Sequence, residues 1–472
     1  MYAKNHAFGS TTPFAPASHL IRRPVPRTRA LPLIGAWPGV LRGQLDYFVK
    51  AREEYGDIFY VDLGVTGLIA LNHPRHAQHV LRDNSKNYRK GGNIWETIRA
   101  LIGNGLPASE GDLWLRQRRM MQPQFHRQRL GGLAESIVDA VDECLSRWDA
   151  AAQTGEPLNV TAEFSHITMR AIVKAIFGSG LSTEEEAIVS EEMNGVLDYL
   201  LRGLVTQMIP PWVPLPARTR FQVACKRIND IVLRIIERRI RGQGSGGSLL
   251  DLLIDMVDAE TGEGMTPQQL RDEVMALFLA GYETTAGTLS WVAHFLLQHP
   301  EAAQALRTEV DAALGGARPS FSSLPKLSYT HMLLRESLRL RPPVYAIPRS
   351  AVEDDEIDGL HVPAGTFVQT MVYTIHRHPE VWERPNEFDP LRFLPEHQSK
   401  RHALSFIPFG AGQRQCIGSE FAMMEGQLIL ARIAQRYDIS AVPERTAKIH
   451  VAMTLRAKDG VWVRLQRRAA RS

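Results

Sequence analysis

One cysteine in this chain has no packing explanation. Cys416 lies in the stretch FGAGQRQCIG, Phe409 to Gly418, among glycines and a basic residue. Cys144 shares a helical stripe with Ile137, Val141 and Leu145, and Cys225 shares one with Phe221, Ile228 and Val232. Both read as core residues, because free cysteine packs like a small hydrophobe. Zinc needs several Cys or His ligands at short spacing, and neither type occurs within ten residues of Cys416 on either side. A disulfide needs a partner, and the other two thiols are already placed in the core. A nucleophilic thiol needs a base, which the neighbouring residues do not supply although the fold could bring one.

Axial ligation of haem iron is the fourth reading, and the local residues suit it. Gly410, Gly412 and Gly418 let the backbone turn tightly against a flat cofactor. Amides of that turn and the start of the following helix favour a thiolate. Arg414 offers a cation to a haem propionate. A thiolate ligand pushes electron density onto the iron and favours O–O cleavage.

Other chemistry-bearing stretches follow a definite order. WLRQR carries Trp114 and Arg118; AGYETT carries Ala280, Gly281, Glu283, Thr284 and Thr285; ESLR carries Glu336 and Arg339. Arg349 follows a double proline, and DPLRF carries Arg392. In this order, with the Phe409, Gly412, Arg414, Cys416, Gly418 pattern, the chain resembles the cytochrome P-450 superfamily from about Pro32 to its end. Leu391 stands where that family often has Glu, and the anchor helix of its microsomal members is not seen.

The resemblance implies a fold that is mainly α with small β-sheets, with haem b between a long oxygen-activation helix and the cysteine loop. It implies Cys416 as the iron ligand and Trp114, Arg118, Arg349 and Arg414 on the propionates, with Phe409 and Gly281 against the cofactor. Thr284 would hydrogen-bond dioxygen and Glu283 would relay protons. Glu336, Arg339 and Arg392 would form a buried structural network. The implied activity is a monooxygenase that hydroxylates or epoxidises a hydrophobic small molecule such as a fatty acid, terpenoid or polyketide. Electrons would come from NAD(P)H through a separate ferredoxin or flavodoxin-type donor and its reductase. A peroxide-driven or non-oxygenating haem-thiolate enzyme is the alternative, ranked lower because such peroxygenases lack the acid–alcohol pair that Glu283 and Thr284 preserve.

The elements that must position these residues are legible in the pattern. A helix should start at Thr266 as N-cap, with Pro267 at its first position and Gln269 closing a capping box, and run to His299 before Pro300. Helices should also cover YTHMLLRESLRLRPP and SEFAMMEGQLILARIAQRY. DIFYVDLG and GLIALN read as a hairpin, GTFVQTMVYT as strand, and RGQGSGGS as a flexible intradomain loop. Residues 1–31 read as a flexible tail and 32–472 as one domain. By family position, the pocket should be lined by NIWETIRALIGNGLP, Phe278, VYAIP and AMTL.

Bulk numbers bound the partners. With 472 residues, 44% hydrophobic and 22% charged, the chain can bury a large core. The formal charge of +4 is too balanced for nucleic acid as the main partner. No apolar run of membrane-spanning length and no signal-peptide core appear, so the reading is cytoplasmic without a membrane anchor. Arg116, Arg119, Arg127, Arg129, Lys400 and Arg401 are candidates for a basic face that would steer an acidic electron donor.

Overall fold

The computed structural model describes residues 23–64, 66–91, 93–178, 182–201, 215–242 and 248–469. The expected hairpin forms, with β1 (Ile58–Asp62) antiparallel to β2 (Gly67–Leu71) and Phe59 opposite Ala70. Three strands from elsewhere extend it: β3 (Tyr88–Arg89), β4 (Ile347–Ala351) and β5 (Phe367–Thr370). The sheet order is β1-β2-β5-β4-β3, with β5 parallel to β2 and antiparallel to β4. This joins the N-terminal hairpin to the stretch 347–370 and fixes Arg349 in β4, opposite Val368. The strand expected over GTFVQTMVYT stops at Thr370, and Val372–Ile375 form a helical turn instead.

The helical part holds the main core. The helices used below are α1 (Asn93–Ile102), α2 (Gly111–Met121), α3 (Ala134–Thr154), α4 (Val160–Phe177), α5 (Pro216–Ile240), α6 (Pro267–Gln298), α7 (Ser328–Leu340) and α8 (Ser419–Arg436). Cys144 on α3 and Cys225 on α5 are buried in that core, as their stripes require. The chain ends in β6 (Tyr437–Ala441), the hairpin β7 (Lys448–Val451) and β8 (Leu455–Lys458), and β9 (Trp462–Arg467), which pairs with β6.

Helix α6 is the axis of the molecule. Its capping box forms as read: Thr266 Oγ1 accepts the Gln269 N–H at 3.2 Å, and Gln269 Oε1 accepts the Thr266 N–H at 2.9 Å. Its 32 residues span about 48 Å at 1.5 Å each. Packed against α4, α5, α7 and α8, it is buried nearly all round. Phe177 of α4 meets Phe278 at 5.9 Å between ring centres, and Thr168 donates to the Tyr282 carbonyl at 3.0 Å. Each such fully buried large side chain contributes about 1.5–3 kcal/mol.

The tail expected over residues 1–31 is shorter at its C-terminal side. The Thr28 N–H donates to the Tyr60 carbonyl at 2.9 Å, the Tyr60 N–H donates to the Pro26 carbonyl at 2.7 Å, and the His361 N–H donates to the Arg23 carbonyl at 2.9 Å. Residues 1–22 lie outside the described residues, as do 243–247 of the expected Gly/Ser loop.

Candidate cofactor and oxygen site

The loop before α8 owes its shape to two glycines. Gly410 and Gly412 have φ of +72° and +68°, and a Cβ on Gly412 would lie 1.9 Å from the Leu81 carbonyl oxygen. Gly418 has an ordinary φ of −89° as the N-cap of α8, so its role is not conformational. The Cys416 N–H donates to the Phe409 carbonyl at 2.8 Å, closing the turn. Protein around the thiol pushes its pKa up, opposed by the Gly418 N–H and the Arg118 charge, yet Cys416 is exposed. A group both desolvated and exposed faces an interior hollow rather than bulk solvent.

A second border of that interior comes from α6. Between Leu270 and Thr288 its side chains are buried except Leu277, Ala280, Gly281, Thr284 and Gly287, which share one face at helical spacing. Helices α6 and α8 pack on each other, with Thr285 beside Glu425, so this face and the cysteine loop border the same region. The Thr284 hydroxyl donates to the Ala280 carbonyl at 2.8 Å. Residues 280–285 stay helical, with no break in the backbone at Gly281 or Thr284. The missing side chain of Gly281 instead admits Ile172, 2.9 Å from where a Cβ would sit. Phe278, expected in the pocket, is fully buried against Phe177 on another face.

Glu283 lies a helical step from Thr284 and points elsewhere. Its carboxylate accepts from Arg456 Nε at 2.7 Å and from the Thr454 hydroxyl, both at or after the β7–β8 turn. Trp291 donates to the Leu455 carbonyl at 3.3 Å two turns further on. The sequence gives no sign of this clasp, since the partners are more than 170 residues apart.

Cations gather where a flat cofactor would present its acids. Arg414 stacks on Trp114 at 3.8 Å, donates to the Ser109 carbonyl at 2.8 Å and pairs with Glu110 at 2.6 Å. Arg118 donates to the Gln415 carbonyl at 2.8 Å. Arg349 is buried, with its guanidinium on the Pro348 carbonyl at 2.8 Å; burial and the charge of Arg414 lower its pKa to about 10. Lys90 was missed in the sequence, where nothing sets it apart. Its ammonium lies 5.1 Å from the Trp95 ring centre, and burial with Arg414 and Arg349 lowers its pKa to about 7.

Lys90, Arg349 and Arg414 share Glu110 as an acidic neighbour, and the two cations left over are what two carboxylates would balance. The thiol of Cys416, the hollow and this surplus of charge together fit haem and its two propionates.

The buried network expected of Glu336, Arg339 and Arg392 is in place. Arg339 grips Glu336 with two bonds of 2.7 Å and also donates to the carbonyls of His376, Pro385 and Glu387. Arg392 approaches Glu336 at 3.6 Å. The expected basic face is smaller than read. Arg119 forks onto Asp258 with two bonds of 2.8 Å, Arg116 donates to the Gly264 carbonyl at 3.0 Å, and Arg401 stacks on Trp382 at 4.2 Å. The side chain of Arg127 lies outside the described residues. Asp57, His73 and His378 form a metal-like grouping. The Nδ1 atoms of His73 and His378 accept the N–H of Arg75 and Glu380, which leaves protons on the Nε2 atoms a metal would need.

A mainly helical fold with a thiolate loop beneath a long central helix defines a haem-thiolate protein. The cytochrome P450 family pattern matches residues 24–458, and the chain belongs to that family. It is a monooxygenase that binds protoporphyrin IX haem. Cyclooctatin synthase of Streptomyces melanosporofaciens is 34% identical over 90% of this chain and 92% of its own. Pentalenene oxygenase of Streptomyces avermitilis is 30% identical over 88% and 91%. The crystal structure of the cytochrome P450DA heme domain superposes with a TM-score of 0.87 at 26% identity, covering 95% of this chain and 98% of that one.

Proposed function

We propose that this enzyme hydroxylates or epoxidises a cyclic terpenoid. The observation that carries the reading is its likeness, over about nine-tenths of the chain, to relatives named cyclooctatin synthase and pentalenene oxygenase. The apolar character of Ile98, Leu277, Ala280, Ile347 and Met453 supports it, since none offers a charge to fix a polar head group.

In this reading Cys416 is the iron ligand, and the bound haem supplies dioxygen activation. Trp114, Arg118, Arg349 and Arg414 hold the propionates, with Phe409 and Gly281 beside the cofactor. Thr284 holds a proton at its Oγ1, and Glu283 exchanges protons with solvent once free of Arg456. Electrons arrive from a ferredoxin or flavodoxin-type donor and its reductase.

A spectral-shift titration of the purified holoprotein tests the substrate class. Cyclic terpene hydrocarbons and alcohols should shift the Soret band at micromolar concentration, with oxygenated products in a reconstituted turnover. Fatty acids that shift it while terpenoids do not would overturn the reading. Product formed with peroxide but not with donor and dioxygen would transfer it to the peroxide-driven class.

A further inference from the structure

Residues 1–45 hold six basic side chains, Lys4, Arg22, Arg23, Arg27, Arg29 and Arg42, and no Asp or Glu before Asp46. Within this one-sided stretch the described chain makes a tight projecting loop. The Leu31 N–H donates to the Gly35 carbonyl at 3.0 Å, and the Gly35 N–H returns to the Leu31 carbonyl at 2.9 Å. The base is clamped to the end of β1: the Ala36 N–H donates to the Asp62 carbonyl at 2.7 Å, and a Cβ on Gly35 would lie 2.5 Å from that same oxygen. The loop is therefore an ordered finger.

Its tip is apolar and turned outward. Leu33 is 93% exposed and Leu41 68%, with Leu31 and Ile34 at 55% and 50%. Four of the eleven exposed large apolar side chains among the described residues thus fall within 31–41, while the others are scattered. Leu33 has φ of +68°, a left-handed conformation that a leucine adopts only under constraint. The fold holds a strained, unburied leucine at the end of a braced loop, and no contact among the described residues accounts for it.

We infer that the Leu31–Ile34 finger and Leu41 dock this enzyme onto the surface of an anionic lipid bilayer. Apolar tips enter the acyl boundary, while exposed Arg23, Arg27 and Arg42 meet lipid phosphates; Arg29 is paired with Glu54 at 3.6 Å. Charge decides in favour of this occupant: an acid-free stretch suits a uniformly negative surface. A protein partner of ordinary affinity needs a broad face of about 800 Å² rather than a narrow projection. No described helix is long and apolar enough to cross a membrane, so the contact lies on one leaflet. The inference does not depend on the substrate proposed above.

Co-sedimentation of the full-length holoprotein with vesicles tests this. One set contains equal phosphatidylglycerol and phosphatidylcholine, the other phosphatidylcholine alone. Wild type should pellet with the anionic set and lose binding as salt rises. Leu33→Gly should weaken binding at least tenfold with an unchanged thermal midpoint, because glycine takes a positive φ without strain. Arg27→Glu with Arg42→Glu should weaken it further. A chain starting at Arg23 should still bind. Wild type that stays in the supernatant, Leu33→Gly binding that equals wild type, or binding lost with residues 1–22 would each overturn the assignment. Leu33-dependent dimerisation without vesicles would also overturn it, giving the finger to a second copy.

Discussion

The Glu283 carboxylate and the Arg456 guanidinium are joined by a 2.7 Å bond across 173 residues of sequence. Glu283 is buried, and Thr454 is its other partner. The acid of the acid–alcohol pair is therefore held by the β7–β8 hairpin, whose turn also carries Met453 on the apolar side. A hydrogen bond to a charged group contributes about 1.5–3 kcal/mol, so Arg456→Met should destabilise the fold by about that much in denaturant unfolding. Glu283→Gln should lower turnover about 10²-fold. The double variant should lose less stability than the two singles summed, by about 0.5–3 kcal/mol. Strict additivity would show that the contact is not formed in solution.

Thr284 is expected to act on the fate of dioxygen without supporting the fold. Its hydroxyl donates to the Ala280 carbonyl within a continuous helix, a bond that adds little to helix stability. Thr284→Ala should leave the unfolding midpoint nearly unchanged while diverting reducing equivalents from product to hydrogen peroxide. The measurement is the ratio of product to NAD(P)H consumed, with peroxide assayed in parallel. An unchanged ratio would move the proton relay to another side chain.

Glu336 should behave in the opposite way. It is fully buried with Arg339, and burial pushes its carboxyl up while the bidentate guanidinium pulls it back. Glu336→Ala leaves Arg339 and the nearby Arg392 without their anion, at about 3–5 kcal/mol. Purified Glu336→Ala should carry little haem and no thiolate-type band in its reduced carbon monoxide spectrum. Full haem content with normal unfolding would show that the carbonyls of His376, Pro385 and Glu387 hold Arg339 unaided.

What the sequence made legible was local. The capping box at Thr266, the stripes around Cys144 and Cys225, and the hairpin at Ile58 each depend on residues a few positions apart. The family motifs carried the site further, because they tie distant residues to one geometry. Three features stayed hidden for one reason: their partners are remote. Lys90 joins Arg349 and Arg414 only through the fold, Arg456 reaches Glu283 from the far hairpin, and Arg119 is neutralised by Asp258 from the turn before α6. Phe278 was misjudged because a residue's face on a helix buried all round depends on its neighbours rather than on its own periodicity.

Glu425 gives a prediction about pH. It is fully buried on α8, and neither carboxyl oxygen has a partner of ordinary geometry among the described residues. Burial raises its pKa to about 8, with Thr285 opposing. An unfolded chain ionises the same group near about 4.3, so between the two values the native state binds the extra proton. Stability should then fall as pH rises, by up to about 1.4 kcal/mol per unit from this group, and level off above about pH 8. Glu425→Gln removes the ionisation while keeping the shape. The variant should be more stable than its parent at pH 8, with the difference shrinking towards pH 5. Denaturant unfolding at several pH values across that window measures it, and parallel curves for the two proteins would show that Glu425 is already ionised in the folded state.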